Sequence, residues 1–383
     1  MNVAMISNSA IGQCNNDPLS NRKTLDMVPT SPIIERNRES LYSGKKKNKK
    51  AKNIHNAAPK PKAGSTSVRI KNESDLAIDK DGNPVAGWRR VDPSAFQVRG
   101  TTYTSSWKKK NKVDSPGDLY RCVKADVFES QRRYPDMASR VQLPRVKFND
   151  DDEDDGPKTW VAPDLFVISV SLPTDPNIKK SESHDGPGYT ITMYYAMQQE
   201  TRDILRKITS GGCDSNGENK PTDADHNDKN KVNAVRLLEK WCREAPTDDK
   251  MMSRFKVLPR AENLETIGLP SWISKFNGKP FLVKRPGTTG FLYSHPRKSC
   301  MEFDVSLHPF PYLAKKAIRC MKDSFFKKTI ATFAFCLEGR DEDELPECLL
   351  GAFQLCYPDP ALAIQGEDFF AGKQEQRRPH SRQ

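Results

Sequence analysis

The sequence predicts an α+β domain: an antiparallel sheet of at least five strands with about three helices packed on it, behind a long disordered N-terminal tail. Three observations carry this reading. Met301, Phe303, Val305 and Leu307 alternate strictly with Glu302, Asp304 and Ser306, the pattern of a strand buried on one face only. Elsewhere, three segments place apolar residues at helical spacing. Residues 1–75 are rich in Asn, Ser, Pro and Lys and have no sustained periodicity; such a chain buries too little apolar surface to offset its ordering entropy.

Taken in order, the folded part is expected to begin near Gly87 and Trp88. A short strand over Phe96–Val98 turns at Gly100, and Leu119–Phe128 supplies a further apolar stretch. Asp150–Asp155, six consecutive carboxylates, reads as a solvated loop; it lacks the alternating ligands and sharp Gly turn of a calcium site. Leu165–Leu172 is apolar and β-branched as far as Pro173, and Tyr189–Tyr195 alternates, which predicts an antiparallel hairpin across a long polar loop. A helix is expected over Gln198–Ile208 on the stripe Ile204, Leu205 and Ile208. After a polar insertion over 210–231, a second helix runs over Val232–Glu244.

Phe281–Lys284 reads as a short strand forming a hairpin with 301–307, joined through Pro286, Gly287 and Gly290. A third helix, Tyr312–Phe326, starts behind Pro309 and Pro311, where proline costs no intrahelical bond. Its apolar side is Leu313, Ala317, Cys320, Met321 and Phe325, and Lys315, Lys316, Arg319 and Lys322 cover the other. Thr329–Leu337 is a near-continuous apolar run suited to the sheet centre. After a helical turn at Leu345–Glu347, Ala352–Tyr357 supplies a last strand, and 361–383 reads as a second disordered tail.

The net charge of +12 resembles a nucleic-acid signal until it is located. Residues 1–72 carry 14 basic and 4 acidic side chains and residues 373–383 carry 4 and 1, which leaves the intervening chain at −1. A near-neutral domain is a poor general DNA binder. Within the tail, the cluster Lys45–Lys52 has three readings: a nuclear-import or nucleic-acid patch, a solubilising tail, or a polybasic segment gaining about 1 kcal/mol per charge at an anionic membrane. Nine scattered cysteines without a C-x-x-C pair exclude a disulfide framework or zinc site and read as reduced thiols, several filling a core. No apolar run reaches the ~18 residues needed to span a bilayer.

No sequence feature makes a strong catalytic motif. Cys300 and His295 lie close in sequence, but a nucleophilic thiolate needs an activating environment and an oriented base. Gly287-Thr-Thr-Gly290 is too short for a phosphate loop and reads as a turn. Glu302 and Asp304 fall ~6–7 Å apart on one strand face, spaced for paired carboxylates or metal ligation. Cross-strand pairing with Lys279, Lys284 or Arg99 is the favoured alternative.

Read as an ordered set, these segments resemble the C-terminal domain of the plant Enhanced Disease Resistance 2 proteins, a domain of unknown function. The resemblance runs through Trp88, Phe96-x-Val98-Arg99-Gly100-x-x-Tyr103 and Asp126-x-Phe128. It continues through Pro163–Pro173, Arg254-Phe-Lys256 with Pro259, Gly278-Lys-Pro280, Tyr293 and Met301-Glu-Phe-Asp304. It closes with Glu344-Leu-Pro-Glu347 and Leu350-Gly351. Two departures stand out: Met251-Met252 replaces an Arg-Asn pair, and Ser306 replaces a second aspartate. In larger members this domain follows a pleckstrin-homology domain and a START lipid-binding domain, and residues 1–86 here are too few and too polar to hold either.

The resemblance implies a non-enzymatic, lipid- or membrane-associated regulatory domain spanning 76–360, cytoplasmic and peripheral to a membrane or nuclear. An anionic head group would meet Arg99, Lys256, Lys279 and Lys284, with Tyr293, Glu302 and Asp304 completing the candidate site; no cofactor or metal is implied. One alternative is a nuclear or nucleic-acid-associated adaptor working through the basic tail. The other is a hydrolase using Glu302 and Asp304, which requires both exposed in a concave pocket with at least one raised pKa. An apolar cavity between sheet and helices favours lipid binding, and a filled core favours a scaffold.

Overall fold

The period-2 segments pair into two large sheets laid face to face and a small antiparallel pair, Gln97–Arg99 with Lys112–Asp114, in a computed structural model of the chain, which describes residues 59–71, 77–105, 110–148, 158–175, 185–209, 223–275 and 277–371. The strands are β1 (Gly87–Arg89), β2 (Gln97–Arg99), β3 (Lys112–Asp114), β4 (Tyr120–Ser130), β5 (Leu165–Pro173), β6 (Gly188–Met197) and β7 (Phe255–Ala261). They continue with β8 (Phe281–Leu282), β9 (Gly290–His295), β10 (Cys300–Ser306), β11 (Ile330–Leu337), β12 (Leu349–Cys356) and β13 (Ile364–Gln365). The main helices are α2 (Gln199–Thr209), α3 (Asp223–Glu244) and α7 (Tyr312–Ser324). Single turns form α1 (Met137–Arg140), α4 (Asp249–Met252), α5 (Leu264–Ile267), α6 (Ser271–Ser274) and α8 (Gly366–Phe370).

The first sheet is antiparallel, in the order β1-β12-β11-β7-β8, and the second is mixed, in the order β13-β4-β6-β5-β10-β9. Parallel pairs occur at β13/β4 and at β5/β10. The expected α+β class and the β5–β6 antiparallel pair are both present. A second sheet was not expected, because a parallel β5/β10 pair separated by more than a hundred residues leaves no turn signal between its members.

The hairpin containing the alternating strand differs from expectation. β10 turns back on β9 through Pro296–Ser299, with Ser299 in the left-handed region, while β8 pairs with β7 in the other sheet. Pro286 and Gly287 drew the turn one segment too early. α3 also starts earlier than expected, at Asp223 inside the polar insertion. At the C-terminal end the chain continues past 360 into β13 and α8, where Phe369 is buried and stacks on Phe128. The Lys45–Lys52 cluster, the acidic run Asp150–Asp155 and residues 210–222 lie outside the described residues.

One half of the inter-sheet space is filled. Phe303 of β10 stacks on Phe255 of β7 with ring centroids 4.0 Å apart, Trp241 of α3 closes on both, and Tyr195 of β6 meets Phe335 of β11 edge-on. Gly351 of β12 permits this approach: a Cβ there would lie 2.7 Å from the Tyr195 ring. On the outer side of the first sheet, Phe96 and Val98 cover Leu258, Ala334 and Ala352.

An N-terminal strap, residues 61–70, crosses the second sheet. Asp126 of β4, fully buried, accepts hydrogen bonds from the amides of Gly64, Ser65 and Thr66 at 2.7, 3.0 and 3.0 Å, and from the Tyr194 hydroxyl at 3.0 Å. A buried carboxylate holding several donors is strongly anchoring, since charge-assisted bonds are roughly twice as strong as neutral ones.

Candidate ligand-binding cavity

The other half of the inter-sheet space is a cavity of about 810 Å³. Its walls are the inward residues of the same strands that make the packed half: Val170 and Leu172 of β5, Ile191 of β6, Val257 of β7, Val305 of β10 and Phe333 of β11. On β10 the expected inward set therefore divides, with Met301 and Phe303 in the core and Val305 and Leu307 at the cavity. α7 lies across it and contributes Ala314, Ala317, Ile318 and Met321, an i, i+3, i+4, i+7 stripe.

This stripe is rotated from the expected one. Leu313 is exposed and Lys315 is buried, so the face toward the sheet begins at Ala314. The four cavity-facing residues of α7 are only half-buried, because they look into open space rather than into side chains.

A closed, dry void of 810 Å³ would cost ~19 kcal/mol at ~24 cal/mol per Å³, above the ~5–15 kcal/mol that a whole domain has to spare. The space therefore reaches the surface. Exposed Val68, Lys279, Pro311 and Leu362 line it, and its size falls within the ~300–1,000 Å³ range of ligand sites.

The seven residues expected to form one site are divided among four places. Lys279 lies exposed on the cavity rim, and Lys284 is exposed beyond the end of β8 without lining the cavity.

Arg99 and Lys256 are consumed by carboxylates. Lys256 Nζ donates to both Glu347 oxygens at 2.6 and 2.7 Å, Arg99 Nη2 reaches Glu338 at 2.8 Å, and Arg99 N donates to Glu347 at 3.1 Å. Burial works against the Lys256 charge, but the Cys336 sulfur and the Glu347 carboxylate outweigh it and hold the ammonium above its ordinary pKa. Glu347 and Glu338 come from the ends of the β11–β12 connection, so Arg99 and Lys256 tie that connection to β2 and β7.

Glu302 and Asp304 face the outer side of the second sheet, beside Tyr293 of β9 in register with Glu302. Both are buried and neither lines the cavity, whereas the hydrolase reading required both to be exposed. The expected pairing with Lys279, Lys284 or Arg99 does not form. Glu302 instead accepts from the Met137 and Ala138 amides at 2.8 and 2.6 Å, and Asp304 has Arg133 Nη1 at 3.5 Å. A short helix packed on the sheet face supplied partners that strand pairing could not predict.

Burial raises the pKa of both carboxyls. Asp304 is pushed well above its usual range by burial and then by Glu302, whose own rise is opposed by its hydrogen bonds. Burial thus opposes ionisation of both carboxyls, most strongly at Asp304. The Tyr293 hydroxyl is likewise raised by burial.

The buried thiols are held protonated by the same physics. All seven described cysteines are free, and burial pushes Cys300, Cys336 and Cys348 up to about 12. Cys300 does stand opposite His295 in the β9–β10 pairing, but His295 Nε2 is engaged with Asp136 at 2.7 Å. Among the described residues, no group of three His, Cys, Asp or Glu side chains is placed to hold a metal ion. No helix there is long and apolar enough to cross a membrane.

Two facing sheets, half filled by aromatics and half open under an amphipathic helix, define an α+β domain with an inter-sheet cavity. The family model described as Protein ENHANCED DISEASE RESISTANCE 2, C-terminal, matches residues 88–359, and the chain belongs to that family. Comparisons with curated proteins and with solved structures return no match. The matched span ends before β13 and α8 and begins after the strap, yet Val68 and Leu362 from these flanks complete the cavity wall. Sequence reasoning missed the cavity itself; the available signal was the pair of small residues, Ala314 and Ala317, facing a sheet from a helix that otherwise carries large side chains.

Proposed function

We propose that this is a non-enzymatic, membrane-associated regulatory domain that holds the apolar part of one lipid between its sheets. The carrying observation is the 810 Å³ apolar cavity roofed by α7. Burying a methylene is worth ~0.8 kcal/mol, so a long acyl chain gains enough in such a space to bind without polar contacts along its length. Lys279 on the rim is the cation of the expected four that remains exposed at the cavity, and it would meet an anionic head group. Such a domain works in the cytoplasm at a membrane surface.

A fluorescent fatty acid, 11-(dansylamino)undecanoate, tests the reading on the full chain. Saturable one-to-one enhancement is expected, weakened at least tenfold by Ala331→Trp, which fills the cavity from β11, and by a smaller factor in Lys279→Glu. Absence of saturable enhancement, or equal binding by the wild type and Ala331→Trp, would sink it.

A further inference from the structure

Among the described residues, the large apolar side chains left exposed are Val68, Val161, Tyr312, Leu313 and Leu362. Two of them, Val68 and Leu362, line the cavity, and Tyr312 and Leu313 follow directly on Pro311, which also lines it, without lining it themselves. Scattered exposed apolar residues need no explanation, but an adjacent exposed pair opening the helix that roofs an apolar cavity marks an interaction surface.

The charge there is also distinct. Residues 312–328 carry six cations and one carboxylate, within a stretch from 73 to 372 whose overall balance is −1. Lys316, Arg319, Lys327 and Lys328 of this segment are exposed. A protein partner would need a matching acidic apolar groove, whereas an anionic bilayer supplies negative charge above and hydrocarbon below over any outline. That combination suits a helix with cations on one side and apolar residues at its start.

We propose that α7 and the cavity mouth form a docking surface for an anionic lipid bilayer, with Tyr312 and Leu313 entering the acyl region. This rests on the lipid-binding reading above and adds where the lipid comes from. With α7 in the interface, its half-buried stripe of Ala314, Ala317, Ile318 and Met321 exchanges the cavity for the acyl region at little net loss of apolar burial. The roof of the cavity therefore lifts more readily where hydrocarbon is available to replace it, and a membrane lipid enters without crossing water.

Vesicle co-sedimentation tests this on the full chain with the lysines of Lys45–Lys52 changed to glutamine, so that the tail does not contribute. The vesicles are phosphatidylcholine with or without phosphatidylserine. Binding is expected only with phosphatidylserine, to fall at least tenfold in Tyr312→Asp/Leu313→Asp and several-fold in Lys316→Glu/Arg319→Glu, and to stay unchanged in Val161→Asp. The dansyl fatty acid, delivered from solution, reports separately on the cavity and should bind the Tyr312→Asp/Leu313→Asp chain as it binds wild type. Fatty-acid binding without vesicle binding, or vesicle binding unaffected by the α7 variants, overturns the docking surface and leaves the cavity reading standing. Vesicle binding lost in the α7 variants, with no fatty-acid binding in any chain, supports the surface and overturns the cavity reading.

Discussion

Replacing Ala331 by leucine and Gly351 by alanine tests the cavity by the sign of two stability changes. Both residues sit on inward faces of the first sheet, on β11 and β12, and both substitutions enlarge a small residue. Ala331 lines the open half, so three added carbons meet no obstacle and cover part of an apolar wall. At ~0.8 kcal/mol per buried methylene and with about half the new surface covered, the gain is ~1 kcal/mol. Gly351 lies in the filled half, where a Cβ falls 2.7 Å from Tyr195 Cδ1 and Cε1 and 3.2 Å from the Tyr120 carbonyl oxygen. Tyr195 is itself buried against Phe335 and has nowhere to go, so the overpacking cost is ~1–3 kcal/mol. Urea denaturation followed by circular dichroism reads both, with the m-value checked for constancy. If Ala331→Leu destabilises as much as Gly351→Ala, the inter-sheet space is filled in solution and the binding argument fails with it.

Further outcomes follow from the buried polar groups. Glu347→Ala strands the Lys256 ammonium in the interior and should cost ~3–5 kcal/mol, while Lys256→Met/Glu347→Leu should recover most of that loss; a double variant no better than the single would show that the pair is not the unit. Asp304 has a raised folded-state pKa, so its penalty is absent below the unfolded value of ~3.9 and grows as pH rises toward the folded value, by up to ~1.4 kcal/mol per unit. Asp304→Asn removes that slope and should gain on wild type progressively as pH rises above about 4; a difference independent of pH across urea midpoints would refute the assignment. Asp126→Ala removes the acceptor for three strap amides, so limited proteolysis should cut within 59–71 faster than in wild type. Unchanged cleavage would mean the strap is held by other contacts.

The family signature gains a physical reading from these placements. Asp126-x-Phe128 joins the strap anchor to the residue that stacks on Phe369. Lys256 with Glu347 ties two distant motif segments into one buried ion pair. Gly351 is the close approach of the two sheets at Tyr195. Met301-Glu-Phe-Asp304 alternates between the aromatic core and the outer carboxylates. Of the charges expected to form one binding site, Arg99, Lys256 and Glu302 are thus internal ties, while Lys279 and Lys284 stay exposed.

What was legible in the sequence is the local period, and what was not is everything that depends on distant partners. Met301, Phe303, Val305 and Leu307 announce one buried face, because alternation is a property of a single strand. Whether that face meets Phe255 or meets a void depends on a strand some forty residues earlier and on a helix that follows. Hydrophobicity reports the solvent a side chain avoids; it carries no term for the atom that replaces the solvent. The same holds on the polar side. Glu302 and Asp304 alternate as an exposed face would, yet α1 buries them, and no spacing within β10 encodes that a single helical turn at Met137–Arg140 will settle there. A cavity is the extreme case of this blindness, since its walls are written in the sequence as core. It becomes visible only when a helix that should press its stripe into them is found holding small residues over empty space.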